Sequence, residues 1–182
     1  MPNYAIFLDR DGTIIKDTGY IKNIKDVNFY PFTFEALKLA QKYFKLFIIT
    51  NQSGISKGLI TEEDVIKIND YILTTLKNEG ITIEKIYYCP HSKEESCQCR
   101  KPSPYFVNMA IREYNLDISN SYVIGDHPSD IQLAKNAGIN GIYVLTGHGR
   151  KHLSELDWDT VKKANLKKAI EYILNLRGSF YE

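Results

Sequence analysis

Five short apolar runs, separated by stretches with helical spacing, constrain this chain more than any other feature. Tyr4–Leu8, Leu46–Thr50, Ile83–Cys89, Ser121–Asp126 and Gly141–Thr146 read as strands. Between the first two, residues 34–44 put Leu37, Ala40 and Phe44 on one helical face. Thr61, followed by Glu62, Glu63 and Asp64, reads as an N-cap with acids in the first turn. It opens a helix to about Lys77, which Asn78 and Gly80 end. Helices over 104–115, with proline at the start, over 128–138, closed by Gly138, and over about 165–176 complete the pattern. Strands alternating with helices predict an α/β fold: a Rossmann-like three-layer αβα sandwich with a central parallel sheet. At 182 residues the chain fits one domain spanning 1–182.

In such sheets, ligands bind beyond the carboxyl ends of the strands. Strand one ends in Asp9-Arg10-Asp11-Gly12-Thr13, strand two in Thr50-Asn51-Gln52-Ser53-Gly54, and strand four in Gly125-Asp126-His127-Pro128-Ser129-Asp130. Carboxylates, a hydroxyl, an amide and the ammonium of Lys101 are thereby expected at one edge. Such acids suit Mg²⁺, which takes oxygen ligands and keeps several waters. A carboxylate can also act as a nucleophile, and an aspartate near its reference pKa of about 4 is already ionised at pH 7. A second aspartate two residues on can protonate a leaving alkoxide and then deprotonate water. The hydroxyl, amide and ammonium can hold phosphoryl oxygens.

All three cysteines fall between Cys89 and Cys99, and with His91 they form C-x-H-x₅-C-x-C. Three cysteines cannot all pair, whereas thiolates with an imidazole suit tetrahedral Zn²⁺. Four protein ligands leave no place for water, so such a site is structural. Lys101 follows Cys99 by two residues, so a metal clamp over 89–101 would fix Arg100 and Lys101, and Pro102 stiffens the exit.

The four signatures "DRDGT", "TN", the lysine of "CRKP" and "GDHPSD" occur in that order, and the chain resembles the haloacid dehalogenase superfamily of phosphatases over nearly its whole length. "FLDRDGTI", "GYIKNIKDVNFYP", "TNQSGISKG" and "CPHS…CQCRKP" are similar to the capless group that includes the heptose-bisphosphate and histidinol-phosphate phosphatases. The resemblance implies Asp9 as nucleophile and Mg²⁺ ligand, and Asp11 as acid/base that also lends its carbonyl to the metal. It implies Thr50 and Asn51 at the phosphoryl group, Lys101 neutralising it, Asp126 as the third Mg²⁺ ligand and Asp130 behind them. It also implies a flap at about 19–30, a zinc loop, and hydrolysis of a small phosphorylated sugar through an aspartyl-phosphate. The 7-phosphate of a heptose 1,7-bisphosphate in nucleotide-heptose biosynthesis is the expected ester, with histidinol phosphate as alternative. A zinc-stabilised binding module that has lost catalysis is the rival from another class.

The pattern departs from that group at Pro31-Phe32, at His127, where the group often carries lysine, and in "TGHGRKH" (Thr146–His152). Arg100 and Ser53 are expected to contact substrate, with Lys57 beside Ser53. Tyr20 is the one tyrosine given a possible flap role. His148, Arg150, Lys151 and His152 read as a solvated basic turn. A formal net charge of +1 gives no reason to expect a nucleic acid or anionic membrane partner. No apolar run approaches the roughly 20 residues that span a bilayer. A cytoplasmic monomer is the expectation.

Overall fold

The computed structural model describes residues 3–178. Ala5–Leu8 (β1), Lys45–Asn51 (β2), Lys85–Cys89 (β3), Tyr122–Gly125 (β4), Asn140–Val144 (β5) and Val161–Lys163 (β6) form one sheet in the order β3-β2-β1-β4-β5-β6. Every pairing is parallel. The helices are Thr33–Ala40 (α1), Glu62–Asn78 (α2), Tyr105–Tyr114 (α3), Pro128–Ala137 (α4) and Leu166–Gly178 (α5).

Residue alternation along the strands builds the three layers. Ile6, Leu8, Leu46 and Ile48 pack against Leu37 and Ala40 of α1, Ile68 and Ile72 of α2, and Leu166 and Ile170 of α5. Their neighbours Ala5, Phe7, Phe47 and Ile49 point the other way, against Val107 of α3 and Leu133 of α4. Phe7 and Phe47 stack across β1 and β2 with ring centroids 5.1 Å apart. Each large apolar side chain so buried contributes about 1.5–3 kcal/mol.

Thr61 caps α2 as its sequence indicates: its hydroxyl accepts the Asp64 N–H at 3.1 Å, and the Asp64 carboxylate accepts the Thr61 N–H at 2.9 Å. Helix α1 stops at Ala40, short of the expected Phe44, because residues 41–44 turn toward β2. Phe44 stays buried there, edge-on to Tyr122. The strand β6 lies outside the sequence expectation of five. Its three residues, Val161-Lys162-Lys163, are half-buried at the sheet edge and carry too little apolar pattern to announce a strand.

The chain moves outward from β1 through β2 to β3, then returns to the other side of β1 as β4. The carboxyl ends of β1 and β4 are therefore the topological switch point, where a crevice opens. Between β1 and α1 the chain makes a short excursion. Ile15 bridges to Phe29, and residues Ile24–Asp26 form a 3₁₀ turn capped by Asn23. Among the described residues no helix is long and apolar enough to cross a membrane.

Candidate active site

The switch point holds a pocket of about 170 Å³ lined by Asp9, Asp11, Thr50, Asn51, Arg100, Lys101 and Asp126, with Asp17, His127, Ser129 and His148 completing its wall. At its floor the ammonium of Lys101, 6% exposed, donates to Asp9 Oδ1 at 2.9 Å, to Asp130 Oδ1 at 2.7 Å and to the Ile49 carbonyl at 3.0 Å. Burial alone would lower the Lys101 pKa, but Asp130 and Asp9 outweigh it and hold the ammonium above its usual range. The other oxygen of Asp130 accepts the His127 N–H at 3.1 Å, so this carboxylate is fully engaged in holding the lysine and the start of α4.

Carboxylate oxygens of Asp9 and Asp126 lie within 4.8 Å of each other, so each raises the cost of ionising the other. Burial, and then the negative charge of Asp130, push Asp9 above the ordinary carboxylate range despite the opposing pull of Lys101. Burial, Asp9 and Asp130 push Asp126 up to about 9. This corrects the expectation that Asp9 is ionised simply because aspartates are: here it needs a further positive partner. One ammonium set among three acids leaves negative charge that a cation would neutralise. The ligand atoms of Asp9, Asp126 and Asp130 lie within 4.8 Å of one another. Two glycines make room for the Asp126 carboxylate. A Cβ on Gly12 or on Gly147 would sit 2.2 Å from Asp126 Oδ2, and Gly12 has a positive φ of 84°. These residues fit Mg²⁺.

Asp11 is held differently. Its carboxylate accepts from Arg10 Nε at 2.9 Å and Nη2 at 3.2 Å, from Gln52 Nε2 at 3.0 Å and from Thr50 Oγ1 at 3.4 Å. Arg10 is 1% exposed and is fixed in turn by Asn69 of α2, whose Oδ1 accepts from Nη1 at 2.9 Å. Arg10 and Gln52 were missed by the sequence reasoning. The available signal was an arginine flanked by two aspartates at the end of a buried strand.

Asn51 lines the pocket, yet its carboxamide brackets the main chain of Lys101. Oδ1 accepts the Lys101 N–H at 3.0 Å, and Nδ2 donates to the Lys101 carbonyl at 3.4 Å. The cysteine loop leads directly into the same residue. Cys89, His91, Cys97 and Cys99 gather with their ligand atoms within 4.8 Å. A tetrahedral zinc with Zn–S of about 2.3 Å sets sulfurs about 3.8 Å apart and sulfur to nitrogen about 3.6 Å apart. Cys89 and Cys97 sulfurs are 3.7 Å apart, and His91 Nδ1 lies 3.5 Å from Cys89 and 3.4 Å from Cys99. Cys89 and Cys99, at 2.8 Å, would spread to admit an ion. Burial raises the Cys97 pKa, but main-chain N–H groups of Arg100 and Cys99 outweigh it and favour the thiolate that a metal needs. Arg100 Nη1 donates to the His91 carbonyl at 3.1 Å, which ties the guanidinium to the loop at the pocket edge.

The turn at 146–152 keeps His148, Arg150 and Lys151 exposed, as the sequence suggests, but its main chain closes on the site. The His148 N–H donates to Asp126 Oδ2 at 2.7 Å, Thr146 Oγ1 donates to the Gly12 carbonyl at 2.6 Å, and the Gly147 N–H donates to the Tyr30 hydroxyl at 3.2 Å. Ser53, by contrast, is not among the residues lining the pocket. Its hydroxyl faces Tyr20, whose phenol also receives Lys57 Nζ at 3.3 Å and whose ring lies over Gly54. Burial pushes the His127 ring pKa down, and nearby His152 adds to that.

A parallel sheet of this order, with paired acids after β1, a buried lysine and an acid after β4, is the arrangement of the haloacid dehalogenase-like hydrolases. Residues 98–167 match a HAD-hydrolase-like family model. The chain is 37% identical over 179 residues to D-glycero-beta-D-manno-heptose-1,7-bisphosphate 7-phosphatase of Yersinia pestis, covering 92% of this chain and 95% of that protein. It is 44% identical over 153 residues to the D-glycero-alpha-D-manno-heptose-1,7-bisphosphate 7-phosphatase of Campylobacter jejuni, covering 83% and 87%. The crystal structure of D,D-heptose 1,7-bisphosphate phosphatase from B. bronchiseptica, complexed with magnesium and phosphate, superposes with a TM-score of 0.87 at 31% identity, covering 95% of this chain and 99% of that one. The chain belongs to the heptose-bisphosphate phosphatase family of HAD-like hydrolases.

Proposed function

We propose that the chain removes the 7-phosphate of a heptose 1,7-bisphosphate by way of an aspartyl-phosphate on Asp9. The observation that carries the reading is the Lys101 ammonium, held between Asp9 and Asp130 at the floor of a pocket that also presents Asp126. The relatives' names favour the heptose ester over histidinol phosphate. They divide between the beta and the alpha anomer, so both are candidate substrates.

Asp9 attacks phosphorus, and the bond from phosphorus to the sugar oxygen breaks. Asp11 turns from its Arg10 and Gln52 contacts and, in its protonated form, gives its proton to that oxygen. It then takes a proton from water, which attacks the aspartyl-phosphate and releases inorganic phosphate with Asp9 restored. Lys101, Thr50 and Asn51 receive the phosphoryl oxygens, and Lys101 keeps Asp9 aimed. Mg²⁺, held by Asp9, Asp126 and the Asp11 carbonyl, supplies charge neutralisation when bound. The magnesium and phosphate in the B. bronchiseptica enzyme support that assignment. Asp130 keeps Lys101 in place from behind. Arg100, which lines the pocket, receives the second phosphate. Zinc at Cys89, His91, Cys97 and Cys99 is structural and fixes the loop that carries Arg100 and Lys101.

Phosphate release from a panel of phosphate esters, with wild type and Asp9→Asn, tests the reading. Wild type should prefer the heptose bisphosphate. The amide should lower kcat by roughly 10⁴-fold or more, the scale of losing a covalent nucleophile. Near-normal turnover by Asp9→Asn would overturn the mechanism.

A further inference from the structure

Three of the four histidines gather at the pocket rim. The rings of His127 and His152 have centroids 4.8 Å apart, and those of His148 and His152 are 6.2 Å apart. His127 is half-buried, lines the pocket, and has one ring nitrogen committed. Its Nδ1 accepts the Ser129 N–H at 3.2 Å and the Ser129 hydroxyl at 3.0 Å, at the start of α4. A neutral imidazole that accepts at Nδ1 carries its proton on Nε2. Among the described residues Nε2 has no hydrogen-bond partner, and it is not among the buried atoms left without one, so this N–H is open to solvent. Around it the same pocket presents the Ser129 hydroxyl and the Asp17 carboxylate. Asp17 Oδ1 accepts the Gly19 N–H at 2.9 Å, while Oδ2 stands 3.6 Å from His148 Nε2, beyond a direct hydrogen bond.

A fixed neutral donor, a hydroxyl oxygen that can accept, and a carboxylate with open lone pairs therefore share one cavity. Such a set is matched to hydroxyl groups, each of which needs a donor for its oxygen and an acceptor for its hydrogen. It is poorly matched to a phosphate dianion, which the carboxylate would repel. Arg100 and Lys101, on the cysteine loop, supply the anion-reading chemistry of the same pocket.

We propose that His127, with Ser129 and Asp17, reads the hydroxyl groups of the polyol that carries the scissile phosphate and so determines specificity. The inference rests on the phosphatase reading above and says which part of the ester this face takes. His127 contributes through its Nε2–H and not through a charge.

The test is His127→Asn. An asparagine oxygen can still cap α4 by accepting the Ser129 N–H, but nothing replaces the Nε2–H. kcat/KM is measured for wild type and variant on a heptose 1,7-bisphosphate and on p-nitrophenyl phosphate, which has no hydroxyl chain. The expected result is a loss of about tenfold on the sugar ester, the upper range for one neutral hydrogen bond, with the aryl ester within about twofold. Asp17→Asn, which keeps an oxygen for the Gly19 N–H, should show the same split and serves if His127→Asn melts early. Equal losses on both esters would mean that His127 acts through Asp126, and no loss on either would mean that it touches nothing; each result overturns the inference while wild-type turnover leaves the phosphatase reading standing. A wild type inactive on both esters would remove the phosphatase reading, and this inference with it.

Discussion

Removing Mg²⁺ and titrating it back at several pH values probes the electrostatics of the site directly. Asp126 is pushed up to about 9 by burial and by its acidic neighbours. A metal ion binds the carboxylate and not the acid, so binding must displace a proton. At pH 7 that displacement costs ~2.7 kcal/mol, from two pH units at about 1.36 kcal/mol each. The apparent Mg²⁺ affinity should therefore rise about tenfold per pH unit between pH 6.5 and 8.5, and more steeply if Asp9 releases a proton in the same step. The sign for stability follows from the same shift. The folded-state pKa lies above the unfolded value of about 3.9, so the metal-free native state binds more protons than the unfolded chain between the two. Its stabilisation from this group is complete below about pH 4 and is lost as pH rises toward 9. Mg²⁺ should accordingly raise Tm most at the alkaline end. Calorimetric titration of chelator-treated protein at pH 6.5, 7.5 and 8.5, in buffers of different ionisation enthalpy, reads both affinity and released protons. An affinity flat with pH and without proton release, or a Tm gain largest at acid pH, would refute the reasoning.

Elemental analysis should find about one zinc per chain, and Cys99→Ser should lower zinc content, Tm and turnover together while Mg²⁺ affinity changes little. A metal-free protein of full activity and unchanged stability would remove the structural-zinc assignment. Gly12→Ala would drive a Cβ to within 2.2 Å of Asp126 Oδ2 from a backbone of positive φ. It should weaken Mg²⁺ binding about 5- to 150-fold, a cost of about 1–3 kcal/mol, with zinc content unchanged; unaltered Mg²⁺ binding would show that Asp126 is free to move.

The layers of the fold were legible because each expresses a local pattern. The unbroken apolar runs "AIFL" and "LFII", buried on both faces of the sheet, the Thr61–Asp64 cap and the closing Gly138 are all readable without tertiary knowledge. Strand ends then located the acids and Lys101, since the connection rules of a parallel sheet send them to one edge. β6 was not legible because an edge strand of Val161-Lys162-Lys163 is defined by its partner β5 and not by its own composition.

The site's second layer was hidden for a related reason. Arg10, Gln52 and Asn69 come from three separate elements, and nothing local to any one of them says that they will meet around Asp11. The turn at 146–152 shows the limit most sharply. As sequence it is a run of polar and basic residues, and a solvated turn is the ordinary reading. In the fold it leaves β5 beside the β1–β4 crevice, where Thr146 ties it to Gly12 and the His148 N–H meets Asp126. Gly12 and Gly147 lack side chains beside that carboxylate for the same reason, because a Cβ on either would come within 2.2 Å of its Oδ2. Two glycines 135 residues apart are thus one steric requirement, and it becomes visible only when the two loops are brought together.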